Sequence, residues 1–265
     1  MNTSIYKPYP GILQTILIIF LFIVIFSTFS LIVSSFNIPN ALETFIIHSI
    51  SFFLVIEYCL SKIHTNLKEV FQLRCYPILL LVPIFITIIG LSIIILEINN
   101  IINLIIPMPS YIKSIFSNLV RPNKWIWISY LTTFGTGPFL EEILCRGIIF
   151  KAYLKRYSCV KAIVVSSVFF SILHLNVWQL AGAIITGIFF SWLFMKTNSL
   201  WFSIIAHIEY NLFTVILIRV VLPAMYGCSV EKIEDNVFQP IWFDLIAILL
   251  IVFGILWLVK IFKKD

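Results

Sequence analysis

Eight apolar stretches, near 11–36, 42–60, 77–97, 125–150, 159–176, 178–195, 200–222 and 240–260, constrain this chain more than any other feature. A helix needs about 20 predominantly apolar residues to cross a bilayer. Within lipid, only a helix or a closed barrel satisfies all of its backbone polar groups. With 61% hydrophobic and 11% charged residues, the chain is too apolar to be solvated as a soluble globule. It reads as an all-α, polytopic membrane helical bundle of about eight transmembrane helices, a single integral membrane domain over residues 1–265. No internal repeat, low-complexity tract or Gly/Ser linker divides it. The stretches 159–176 and 178–195 are short and separated by little more than Leu175-Asn176-Val177, so a tight helical hairpin is expected. The first stretch is too long for a signal-peptide core and is expected to stay as an anchor.

The net charge of +6 does not mark a nucleic-acid partner, because of where it falls. Lys62, Lys68 and Arg74, then Lys151, Lys155, Arg156 and Lys161, then Lys196, then Lys260 lie on alternate connections. This positive-inside pattern predicts a multi-pass protein of the cell membrane with both termini cytoplasmic. The connection 98–124, with Lys113, Arg121 and Lys124, departs from it, as a long outer loop can. Its apolar beginning is expected to rest in the outer interface, and 61–76 to form an amphipathic helix on the cytoplasmic surface. His48 and Glu57 are expected near the ends of the second span, reaching the interface by snorkelling. The five cysteines form no CxxC pair and are expected to be buried as small apolar residues. Cys145 is no better a nucleophile, since the carboxylates beside it disfavour the thiolate.

Against this background, Pro138-Phe139-Leu140-Glu141-Glu142-Ile143-Leu144-Cys145-Arg146-Gly147 stands out. Each charge at the centre of a membrane helix costs about 2.5–3.5 kcal/mol on insertion scales, so three of them mark a functional site. Glu142 and Arg146 stand four apart and can pair across one turn. Glu141 points about 100° away, free of the arginine and available for proton transfer. Two further spans carry polar groups: His174 on 159–176, and His207 with Asn211, four apart on one face, on 200–222. Six such residues on three spans are hard to explain as packing. Straight helices would not bring them to one depth, so Gly135, Gly137 and Pro138 are expected to bend the span 125–150.

The three groups fall into an ordered pattern: Glu141-Glu142 with Arg146 (EExxxR), Phe170 with His174 (FxxxH) and His207 with Asn211 (HxxxN), the last preceded by Asn198-Ser199-Leu200-Trp201. Over about residues 125–220 the chain resembles the CPBP (Abi) family of intramembrane proteases, related to the CAAX prenyl endopeptidases of the Ras-converting type. Glu209, an extra acid inside the third motif, departs from the pattern. The resemblance implies an intramembrane endopeptidase that hydrolyses a peptide bond of a membrane-associated protein or peptide precursor. Glu141 and His174 would activate a water, His207 and Asn211 would hold the oxyanion, and Glu142 and Arg146 would support the site. The implied partners are a membrane-embedded peptide or protein substrate and the lipid bilayer. Members of this family are often labelled metalloproteases, and Glu141, His174 and His207 form a plausible zinc set. There is no HExxH motif, however, and a water activated without a cofactor is the favoured expectation. A non-catalytic bacteriocin self-immunity or membrane binding protein is the rival reading. A proton-coupled transporter would use the same glutamates, but no repeated half with matching broken helices is present.

Overall fold

The computed structural model describes residues 8–64, 66–71, 77–113, 123–226 and 238–263, and every regular element among them is helical. Helix α1 (Ile12–Ser34) turns at Asn37 into α2 (Asn40–Ile63), followed by the single turn α3 (Leu67–Val70). A 3-10 turn, Ile78–Leu80, opens α4 (Leu81–Ile105). Helix α5 is a composite over 126–154, in which π-helical turns at Thr132–Thr136 and Ile143–Phe150 flank the α-helical Gly137–Glu142. Helices α6 (Cys159–Ile172) and α7 (Val177–Thr197) precede α8, which runs as Leu200–Tyr226 through a further π turn, and α9 (Ile241–Phe262).

Six of these helices, not eight, are each long and apolar enough to cross a membrane: α1, α2, Ile78–Ile105, α7, Leu200–Tyr226 and α9. The difference lies in α5, whose apolar run is interrupted by Thr132–Gly137 and by the charges of Glu141, Glu142 and Arg146, and in α6, whose 14 residues reach only about 21 Å. The expected hairpin of α6 and α7 is present. Leu175 takes a left-handed conformation, and the Asn176 side chain caps α7 by accepting the Gln179 N–H at 2.9 Å.

Three apolar clusters are found among the described residues: one centred on α1, α2, α5 and α6 that reaches α7 and α8, one among α4, α7, α8 and α9, and a small one of Ile93, Leu217 and Ala247. Helices α4 and α9 approach closely at small residues: a Cβ on Gly90 would lie 2.5 Å from the Ala247 carbonyl oxygen. In lipid, where apolar surface gains nothing by leaving its solvent, such close backbone packing is what holds helices together. Helix α1 turns Leu13, Leu17 and Phe20 outward, toward lipid.

The basic connections gather at one end of the bundle. Arg156 donates to the Pro8 carbonyl at 2.8 Å, and Lys151 Nζ to the Glu69 carbonyl at 3.4 Å. Three expectations are corrected. The apolar start of the connection 98–124 belongs to the last part of α4 rather than to a connection, because its Ile-rich run continues the helix to Ile105. The surface helix over 61–76 is reduced to the end of α2 and the four residues of α3, while 72–76 lie outside the described residues. Cys59 and Cys145 are buried as expected, but Cys159 is exposed at the start of α6; Cys75 and Cys228 lie outside the described residues.

Candidate active site

The site forms where α2, α5, α6 and α8 meet. Glu141 lies about 20 Å of helix from Leu154, and His174 about 22 Å from Cys159 at 1.5 Å per residue, so a short α6 ending inside the bundle brings them level. The depth conflict of straight helices is thus resolved by where α6 stops and by the irregular turns of α5.

Those turns have a local cause. The Gly137 N–H bonds back to the Thr132 carbonyl, five residues earlier, and the next residue, Pro138, has no N–H to give. The Thr133 carbonyl is therefore left without a helical donor. Asn211 supplies one, its Nδ2 donating at 2.8 Å. The glycine is also needed for space, since a Cβ at Gly137 would lie 2.5 Å from the Thr132 oxygen. Asn211 thus ties α8 to the π turn just before the two glutamates.

Glu142 is fully buried and accepts twice at Oε1, from Arg146 Nη1 at 2.6 Å and from His207 Nδ1 at 3.0 Å. Arg146, also buried, sends Nη2 to the Gly187 carbonyl at 3.2 Å and sets its guanidinium 4.2 Å from the Phe170 ring and 5.4 Å from that of Phe190. A guanidinium over aromatic faces is stabilised by the ring quadrupoles. Phe190 stacks on the His207 ring, and Phe170 meets both His207 and His174 edge-on. This explains the FxxxH spacing: the Phe170 ring packs the arginine, and its carbonyl lies 3.2 Å from His174 Nδ1 one turn later.

Carboxylates and carbonyls only accept, so Nδ1 carries the proton on both His174 and His207, and His207 turns Nε2 toward Glu141. His207 Nε2 lies 3.9 Å from Glu141 Oε2, and His174 is close enough to interact electrostatically with Glu141. Glu141 Oε2 is buried and makes no hydrogen bond among the described residues. Its other oxygen, Oε1, lies 3.2 Å from His48 Nε2. Among the described residues no group of three or more His, Cys, Asp or Glu is arranged to hold a metal ion.

The structure therefore brings five of the sequence-derived residues, Glu141, Glu142, Arg146, His174 and His207, into one cluster, with Asn211 bound to the adjoining turn. His48 is the residue the sequence reading missed. It was assigned to the interface, yet it stands well inside α2, against Glu141; its depth within an apolar span was the available signal. Next to the cluster an apolar cleft of about 730 Å³ opens between α2, α5 and α8. Its walls include Ser49, Leu140 and Ile208, the chain neighbours of His48, Glu141 and His207.

Residues 123–213 match the family model described as Type II CAAX prenyl endopeptidase Rce1-like. A protein of Bacillus subtilis (strain 168) named "Putative membrane peptidase YdiL" is 38% identical over 81 residues, 31% of this chain and 33% of that protein. The match thus spans about a third of the length of this curated relative. No solved structure matches. All six motif residues, from Glu141 to Asn211, fall within the matched segment, so the protease family that the motifs resemble is the family whose model fits, that of the Rce1-like type II CAAX prenyl endopeptidases.

Proposed function

We propose that the chain is an intramembrane endopeptidase that cleaves a peptide bond of a membrane-embedded peptide or protein by general-base attack of water. The observation that carries this reading is the second oxygen of Glu141, buried, without a hydrogen-bond partner among the described residues and 3.9 Å from His207 Nε2. A water at hydrogen-bonding distance from both atoms would subtend an angle of roughly 90°, an ordinary arrangement for a bridging water. Glu141, with His174 near enough to act on it electrostatically, takes the proton as the water oxygen attacks the carbonyl carbon. Protonated His207, gripped at Nδ1 by Glu142, donates through Nε2 to the developing oxyanion. Glu141 then returns the proton to the leaving amine nitrogen as the C–N bond breaks. Glu142 and Arg146 touch no substrate and hold His207 in place. Asn211 works through the Thr133 carbonyl, and no step passes through a metal.

The apolar cleft next to Glu141 suits an apolar stretch of substrate entering from lipid. The lysines and arginines at the other end of α5 support placing both termini in the cytoplasm. The test compares membrane peptidomes of cells carrying the native chain and Glu141→Gln. Peptides made only by the native chain are expected. Identical peptidomes, with any protection against a bacteriocin kept by Glu141→Gln, would instead favour the self-immunity reading.

A further inference from the structure

We infer that His48, on α2 and outside the segment 123–213, is a positioning residue for the base Glu141. This inference rests on the proposed role of Glu141. His48 lies in an apolar helix, and its one polar contact to protein among the described residues is Nε2 to Glu141 Oε1, at 3.2 Å. Its side chain is 17% exposed, and its other ring nitrogen, Nδ1, is buried without a partner. A histidine placed there for packing alone would leave both nitrogens unmet in apolar surroundings, which is costly. Instead one nitrogen is aimed at the carboxylate.

The bond has a geometric consequence. A glutamate carboxylate rotates freely about its last torsion, which has only broad minima. Donation from His48 to Oε1 stops that rotation and leaves Oε2 as the oxygen that faces His207. Phe52, one turn along α2, packs on the His48 ring at 4.6 Å between centroids and fixes the ring in turn. His48 also shares α2 with Phe45, Ser49 and Phe53 of the cleft wall, so α2 both lines the cleft and orients the base beside it.

Two variants separate donation from packing. His48→Phe keeps a ring against Phe52 and removes the donor, whereas His48→Gln offers an amide N–H near the place of Nε2. The readout is the rate at which pulse-labelled cells release the membrane peptides that depend on native Glu141, together with the melting temperature of the purified full chain. His48→Phe is expected to slow release about 10- to 100-fold at unchanged melting temperature, as loss of a residue that orients a reactive group does. His48→Gln is expected to recover most of the rate. Native-like release by His48→Phe, or equal loss in both variants, would overturn the inference while Glu141→Gln remained inactive. Release by Glu141→Gln itself would sink the proposed function first.

Discussion

Glu141 and Glu142 are neighbours in the chain, yet the two faces of α5 that carry them have opposite surroundings. On one, Glu142, Arg146 and His207 are closed off by Phe170 and Phe190, and none is more than 6% exposed. On the other, Glu141 keeps one oxygen unbonded and stands beside an apolar cleft. A buried ion pair stabilises little beyond what apolar residues of the same volume would, but removing one partner is costly. The closed face is therefore suited to fixing geometry and the open face to reacting. If that division is right, substitutions on the two faces should fail in different ways.

The largest effect belongs to the open face. Glu141→Gln keeps the shape of the side chain and removes the base, so turnover should fall about 10²–10⁴-fold with expression and melting temperature near native. Quantifying the cleaved peptides from purified native and variant protein checks this, and retained turnover would end the base assignment. On the closed face, Arg146→Ala leaves the Glu142 carboxylate with His207 as its one partner. It should cost about 3–5 kcal/mol, seen as lower protein levels and a lower melting temperature along with lost activity. An Arg146→Ala protein that was inactive but fully stable would place the arginine on the substrate and dissolve the contrast between the faces.

Asn211 stands at the junction and sharpens the comparison. Its bond to the Thr133 carbonyl predicts that Asn211→Ala leaves that oxygen unsatisfied at about 1–3 kcal/mol, measurable by thermal melting, with a loss of activity that follows the displaced turn. A donor to the oxyanion would behave differently, losing about 10²–10³-fold in turnover without a change in stability.

The sequence disclosed much of this division, because its strongest signals are local. Charges within apolar runs, and pairs four apart on a helix, read directly as Glu142–Arg146 and as a free Glu141. The hairpin after His174 was legible from the brevity of its two stretches. What escaped were features set by contacts across the fold. Nothing in the spacing of Asn211 from His207 shows that Pro138, on another helix, leaves a carbonyl to which Asn211 donates. His48 was placed at the interface for a similar reason: a lone histidine has no pattern, and its partner lies 93 positions away. The helix count differs because α5 carries small polar residues and three charges within its run, and because the sequence does not disclose that α6 stops after 14 residues.

The smallest expected effect is that of a chelator. His174 and His207 each have Nδ1 committed to an acceptor, which leaves Nε2 to serve a water, an oxyanion or a metal. The proposed mechanism uses the first two and no metal. No three of the described His, Cys, Asp or Glu side chains converge as a metal site does, and tetrahedral zinc requires its nitrogen and oxygen ligands at about 2.0–2.2 Å. Activity is therefore expected to withstand a strong chelator, and purified protein to contain far less than one zinc per chain by elemental analysis. Stoichiometric zinc, with activity lost on chelation and restored by the metal, would show that Glu141, His174 and His207 close around an ion. It would also move Glu141 from base to ligand, leaving the open face without the unbonded oxygen that sets it apart from the closed one.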